Sequence, residues 1–254
     1  ALGRPLLIEG RAGVGKTEVG NVLARLLETN LIRLQCYEGL DDGRALYEWD
    51  YGKQLLYTQI LREKIGQIVS DAADLGEAVE RIGSQESVFF SDRFLAPRPL
   101  LEAVRSEDPV VLLIDEVDRL EVETEALLLE ILSEFQVSIP ELGTIRATQI
   151  PLVFLTSNAT RELSEALKRR CLYLYIDYPD LERERQIVMA KVPGIDANLA
   201  DQVARIVRSI RQLDLKKHPS VSETLDWART LLLLNIDTID EATAKETLHI
   251  LLKY

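Results

Sequence analysis

A parallel α/β sheet layered between helices in a three-layer αβα core, followed by a small all-helical domain, is the fold class this sequence predicts. Three observations predict it. Short apolar runs recur at Arg4–Glu9, Leu31–Gln35, Val110–Ile114, Pro151–Thr156 and Leu172–Ile176, with the look of strands buried on both faces. Helical patterns separate them, which is the alternation of a parallel sheet. From Pro179 onward the periodicity is helical throughout.

The first run, flanked by Gly3 and Gly10, reads as the first core strand. After a glycine-rich loop, Val19, Val22, Leu23, Leu26 and Leu27 recur at the 3-and-4 spacing of an amphipathic helix, and Leu31–Gln35 returns as a strand, completing a βαβ unit. A helix is expected over Thr124–Phe135. From Tyr47 to Ala103 the pattern is mostly helical, with Leu55, Leu56, Gln59 and Ile60 on one face and breaks at Gly76 and Gly83. Pro179-Asp180 opens the helical tail, expected over Leu181–Val192, Asn198–Leu213, Ser222–Leu234 and Asp240–Leu252. The boundary is placed near residue 178, giving a core domain over 1–178 and a helical domain over 179–254. No internal repeat appears.

With 254 residues and 46% apolar composition, the chain can build a substantial core. No apolar run approaches the roughly 18 residues of a membrane helix, and the start shows neither a basic region nor a small-residue cleavage site. An intracellular, cytoplasmic protein is expected. Cys36 and Cys171 lie far apart without C-x-x-C spacing, so both are read as buried small apolar residues. Acidic residues outnumber basic ones 42 to 30, a net charge of −12, which repels nucleic-acid backbones at long range.

Gly10-Arg11-Ala12-Gly13-Val14-Gly15-Lys16-Thr17 matches G-x-x-x-x-G-K-[ST] and lies between an expected strand and an expected helix. Glycines let backbone N–H groups converge on phosphates, and the helix N-terminus adds partial positive charge. Lys16 is expected to reach the β and γ oxygens of ATP, Thr17 to hold Mg²⁺ through its hydroxyl, and the whole stretch through Glu18 to contact the nucleotide. The plain alternative is a glycine-rich turn with an exposed lysine.

Val110-Val-Leu-Leu-Ile-Asp115-Glu116 places two acids at the end of a strand too apolar to be exposed. Unpaired charge there would cost several kcal/mol, so a cationic or polar partner should meet them. Beside a phosphate loop, Asp115 is assigned to the metal and Glu116 to polarising the attacking water. Alone, the pair is equally a strand end emerging into water with a helix-capping acid. Leu152–Thr156 ends in Ser157-Asn158, delivering a neutral amide that can orient water. A helix-like stretch over 160–170 ends in Arg169-Arg170. Two arginines at a helix C-terminus answer the macrodipole; alternatively, Arg170 is a finger directed at a neighbouring subunit's nucleotide.

In this order the motifs resemble the AAA+ superfamily, over essentially the whole chain: Walker A at Gly10–Thr17, Walker B at Val110–Glu116, sensor 1 at Asn158, the finger at Arg170 and a helical lid. The stretch Phe135-Gln-Val-Ser-Ile-Pro-Glu-Leu-Gly-Thr-Ile-Arg146 resembles the pre-sensor 1 hairpin of the MoxR group, with Glu141-Leu-Gly143 at its turn. Leu34–Asp50 is similar to the MoxR branch that accompanies carbon monoxide dehydrogenase. The resemblance implies a hexamer with nucleotide between subunits, a von Willebrand A-domain partner and a chaperone-like action on a client protein, often a metalloenzyme. Relatives often carry a sensor 2 arginine where this chain reads Ser220-Val-Ser-Glu223-Thr; Arg211, Lys216 and Lys217 are the candidate substitutes. The chain also begins almost on its first strand, as one lacking an upstream adenine-contacting segment does.

Other features keep simpler readings. Tyr47-Glu-Trp49-Asp-Tyr51 is read as aromatics folded onto a neighbouring helix rather than a client-contacting loop, and His218 and His249 lack a second ligand at metal spacing. The expected function is Mg-dependent ATP hydrolysis in a ring. Three alternatives stay open: a P-loop phosphotransferase with a small acceptor, a binding module that nucleotide merely gates, and a DNA-acting relative, which the net charge disfavours.

Overall fold

The computed structural model describes residues 3–62 and 90–252, together with residues 66, 70, 74 and 77. Its principal sheet has five strands: β1 (Leu6–Gly10), β2 (Asn30–Gln35), β5 (Val110–Asp115), β8 (Leu152–Ser157) and β9 (Leu172–Ile176), in the order β2-β5-β8-β1-β9. Each matches an expected run to within two residues. β2 and β5 run parallel with Asn30 opposite Val110 and Gln35 opposite Asp115, and β5 runs parallel to β8. All six residues of β5 are buried, as an apolar run at the centre of a parallel sheet requires.

The chain forms two compact units. The first comprises Ala1–Leu7, Gly20–Thr156 and Thr160–Tyr173; the second comprises Ile8–Val19, Ser157–Ala159 and Leu174–Tyr254.

In the first unit, Leu7, Leu34, Leu100, Leu112, Ile114 and Leu128 belong to one buried cluster. Helix α1 (Lys16–Leu26) sits where expected, but only part of the expected apolar face is turned inward. Val22, Leu26 and Leu27 are 49%, 74% and 54% exposed, whereas Ala24 is buried and a Cβ on Gly20 would come within 3.3 Å of Leu113. The helix approaches β5 through Gly20, and of the expected face only Val19 and Leu23 are half-buried, so spacing alone marked the inward side in part.

The mostly helical reading of Tyr47–Ala103 is also corrected. After the short helix α2 (Asp42–Ala45), strand β3 (Tyr47–Trp49) pairs antiparallel with β4 (Leu95–Pro97). Helix α3 (Tyr51–Ile60) follows β3 and has no buried residue, and α4 (Pro99–Arg105) follows β4. Trp49 is buried edge-on to Tyr47 and Phe90, so it folds inward, while Tyr51 is exposed. The expected breaks at Gly76 and Gly83 lie outside the described residues. Helix α5 (Val122–Glu134) is followed by the expected hairpin, β6 (Gln136–Ile139) against β7 (Gly143–Arg146), with Gly143 at φ +78° closing the turn.

Helix α6 (Glu165–Arg170) is shorter than the expected 160–170 stretch. Ser164 caps it, accepting from the Leu167 N–H, and the preceding residues bond elsewhere. Thr160 donates through its N–H and hydroxyl to buried Asp118, while Arg161 and the Ser164 N–H donate to buried Glu125. Side-chain acceptors distant in sequence took groups that a helix would have used.

In the second unit, α7 (Leu181–Lys191), α8 (Ala197–Arg211), α9 (Val221–Leu233) and α10 (Glu241–Thr247) reproduce the expected tail, each N-capped by Asp or Ser. The last helix ends earlier than expected, passing into a 3-10 turn over Leu248–Ile250. Val188, Val203, Val207, Trp227 and Leu231 form its core, and the Trp227 indole donates to Thr247 Oγ1 at 2.8 Å. No helix among the described residues is long and apolar enough to cross a membrane.

Candidate functional site

The glycine-rich loop joins β1 to α1, and each of three glycines answers a different demand. A Cβ on Gly10 would fall 2.0 Å from the Ile176 carbonyl oxygen of β9, and one on Gly13 2.4 Å from Ser220 Cβ. Gly13 and Gly15 have φ of +73° and +95°, the left-handed region that glycine enters without steric cost. Nothing lies within 4 Å of where a Gly15 Cβ would be, so the backbone there faces open space.

Lys16 is 6% exposed. Its ammonium donates to the Gly10 carbonyl at 2.9 Å, the Arg11 carbonyl at 2.8 Å and Asn158 Oδ1 at 2.8 Å. The reading of a turn with an exposed lysine is thereby overturned. Asn158 is set by a turn after β8, in which Ser157 Oγ accepts from the Ala159 N–H at 3.0 Å and Ala159 takes φ +57°. The two residues that sequence assigned separately, Lys16 and Asn158, are thus hydrogen-bonded to one another.

Asp115 is 2% exposed at the end of β5. The expected cationic partner is Arg33 on β2, whose Nη2 lies 2.5 Å from Oδ2; Thr156 Oγ1 donates to Oδ1 at 2.5 Å and itself accepts from the Glu116 N–H at 2.9 Å. Glu116 adopts φ 58°, ψ 48°, and its carboxylate pairs with Arg119 at 2.7 Å. A left-handed non-glycine residue directly after the buried acid is the sort of backbone outlier that concentrates at functional sites. Arg33 and Thr156 were missed; a lone arginine within the otherwise apolar Leu31-Ile-Arg-Leu34 was the available signal. Because Arg33 is half-exposed and Asp115 is not, Arg33→Ala should leave a buried carboxylate short of a donor and destabilise the chain by about 1–3 kcal/mol. Urea unfolding measures it, and an unchanged midpoint refutes the pairing.

Arg170 ends α6, donating to Ser133 Oγ and to the Ala166 carbonyl at 2.9 Å, while Arg169 is exposed. In the second unit a cavity of about 290 Å³ is lined by Arg11, Gly13, Asn158, Tyr178, Lys216 and Ser220, among others. The Tyr178 ring takes the Arg211 guanidinium at 4.2 Å and that of Arg11 at 5.5 Å.

With this geometry in hand, comparison with known proteins decides the family. A profile for the AAA domain (dynein-related subfamily) matches residues 5–171. The chain belongs to that family. The AAA domain described here is 26% identical over 224 residues to the gas vesicle ATPase GvpN of Haloferax mediterranei, covering 83% of this chain and 57% of that protein. Its fold is that of the Thermotoga maritima RuvB Holliday junction branch migration motor, with TM-score 0.54 and 16% identity over 97% of this chain and 61% of the motor's. A point variant of the same motor gives 0.55, again at 16% identity, 97% and 61%. This chain therefore spans about three-fifths of the length of the proteins it matches.

The AAA domain's loop suits a nucleotide's phosphate chain. Left-handed Gly13 and Gly15, the open space at Gly15 and the start of α1 at Lys16 together present backbone N–H groups and a helix N-terminus. The Thr17 hydroxyl in the second unit and the Asp115 carboxylate in the first are each a hard oxygen donor of the kind Mg²⁺ takes. Cys36 donates its N–H to the Asp115 carbonyl at 2.8 Å, and burial, then the Asp115, Asp118 and Glu116 carboxylates, push its thiol up to about 12. It stays a neutral packing residue at any physiological pH. Burial likewise lifts Cys171 to about 11.

Proposed function

We propose that this AAA domain binds Mg-ATP on Gly10–Glu18 and hydrolyses it as one subunit of a ring, the most direct use of a lysine buried by oxygen acceptors. The observation that carries the reading is the Lys16 ammonium, held by the loop's own carbonyls and by Asn158. Bound Mg²⁺ supplies charge neutralisation on the phosphates. With nucleotide bound, Lys16 would hold the β and γ oxygens, and Thr17 and Asp115 would supply oxygen donors for the metal. Thr156 keeps Asp115 oriented and Glu116 on its backbone turn, so that Glu116 can take a proton from water and Asn158 can orient it. GvpN, an ATPase by its name, supports turnover.

The finer reading is of MoxR type: a hexamer, a von Willebrand A-domain partner and remodelling of a client protein, with metalloenzymes among the candidates. The β6–β7 hairpin supports it. We do not extend the likeness in fold to DNA, because a net charge of −12 opposes a phosphate backbone.

Arg170 is assigned to a neighbour's nucleotide. Its hydrogen bonds, to a serine hydroxyl and a helix carbonyl, are neutral contacts that a phosphate would outcompete. ATPase rate per protomer should therefore climb with protein concentration and level off, and Arg170→Ala subunits mixed into wild type should depress the rate beyond simple dilution. A rate that is flat in the monomer range and insensitive to mixing refutes the ring and favours a phosphotransferase, which would consume ATP only with an acceptor.

A further inference from the structure

Helix α6 is six residues long. Most of its backbone polar groups are therefore end groups without an intrahelical partner, and a helix this short has no stability of its own. Its place is set by what binds its two ends. Buried Leu163 and Leu167 fix its depth, but apolar contact is non-directional and leaves rotation and sliding open. Arg170 adds little to the anchorage, since it bonds Ser133 Oγ and a carbonyl of its own helix.

Charged side chains of the first unit hold both ends. At the start, Glu125 on α5 is 1% exposed and accepts the Ser164 N–H on Oε1 at 2.8 Å and Arg161 Nη2 on Oε2 at 3.0 Å. The same Nη2 donates to the Leu120 carbonyl at 2.6 Å. Each oxygen of the carboxylate is thus bound to the segment that enters the helix. At the finish, Arg4 lies across the last turn. Its Nη2 donates to the Arg169 carbonyl at 2.5 Å and the Cys171 carbonyl at 3.2 Å, and its Nε to the Arg170 carbonyl at 3.4 Å. A cation there answers the orphan carbonyls and the negative end of the helix dipole. Arg4 is exposed and stands two residues before β1, the strand that ends on Gly10 of the phosphate loop.

We propose that Glu125 and Arg4 are the positioning residues that aim Arg170 at the neighbouring subunit's nucleotide, one gripping each end of α6. Each acts through the helix rather than on the nucleotide. Misplacing a catalytic group by about 1 Å can cost about 10²-fold in rate, so a loosened α6 is felt in the neighbour's site and not in its own. This inference rests on the reading of Arg170 above and adds to it what fixes that arginine in place.

The test is subunit mixing with the full chain. Homogeneous Arg4→Ala or Glu125→Gln should lose about 10–10²-fold in kcat, with KM for ATP within about twofold of wild type; a glutamine keeps one acceptor where the carboxylate serves two donors. Each variant is then mixed into an excess of Glu116→Gln subunits, which lack the water-activating acid but keep an intact α6. There it should recover at least about half of the turnover per subunit that wild type shows in the same mixture, and Arg170→Ala, the reference, should recover alike. An unchanged kcat in the homogeneous variants, or no recovery where Arg170→Ala recovers, overturns this assignment alone. Arg170→Ala that fails to recover refutes the finger reading and this inference with it. Arg4 is exposed, so Arg4→Ala decides by itself if Glu125→Gln does not fold.

Discussion

Lys16→Ala should reduce ATP turnover by about 10²–10³-fold, the cost of removing one preorganised donor from developing charge. Two effects compound. The phosphate chain loses the buried cation built into the loop, and the Gly10 and Arg11 carbonyls and the Asn158 amide lose the donor that now gathers them. Lys16→Arg should not rescue, because a planar guanidinium cannot converge three donors on acceptors set around a point charge. Steady-state hydrolysis together with nucleotide displacement is the measurement. A variant that keeps a third of wild-type turnover would remove Lys16 from the chemistry and leave it a structural strut of the loop.

Gly10→Ala should be the most damaging single methyl in the loop. The new carbon would lie 2.0 Å from the Ile176 oxygen and 3.0 Å from the Ile176 carbonyl carbon, which are backbone atoms of a paired strand rather than the end of a flexible side chain. Relief requires β9 to move, so a loss of about 3 kcal/mol or more is expected. Gly15→Ala is the comparison: its φ of +95° disfavours a side chain, but nothing stands within 4 Å of the new atom. It should cost about 1–2 kcal/mol in backbone strain and no more. Urea midpoints for the two variants order them. If Gly10→Ala unfolds with or after Gly15→Ala, β9 is not fixed against the loop as described.

By itself, the sequence determined the strands, the loop and the helical tail, because these depend on local signals. Runs such as Val110–Ile114 bury on both faces whatever surrounds them, a Gly-x-x-x-x-Gly-Lys-Thr string needs only its own backbone to turn, and Asp180, Asp196, Ser220 and Asp240 cap helices from one residue away. The hairpin over 136–146 was legible for the same reason. What depended on partners distant in the chain was not. The close approach of α1 to β5 was decided by Leu113 meeting Gly20, a small residue that apolar spacing does not mark. The length of α6 was decided by Asp118 and Glu125, which took the donors of residues 160–164. At the site, the need for a cation beside Asp115 could be argued from burial, but only the register of β2 against β5 made it Arg33. Tertiary structure likewise paired Arg211 with Glu184 and Lys217 with Glu223, because which carboxylates the fold brings to a cation is not written in periodicity.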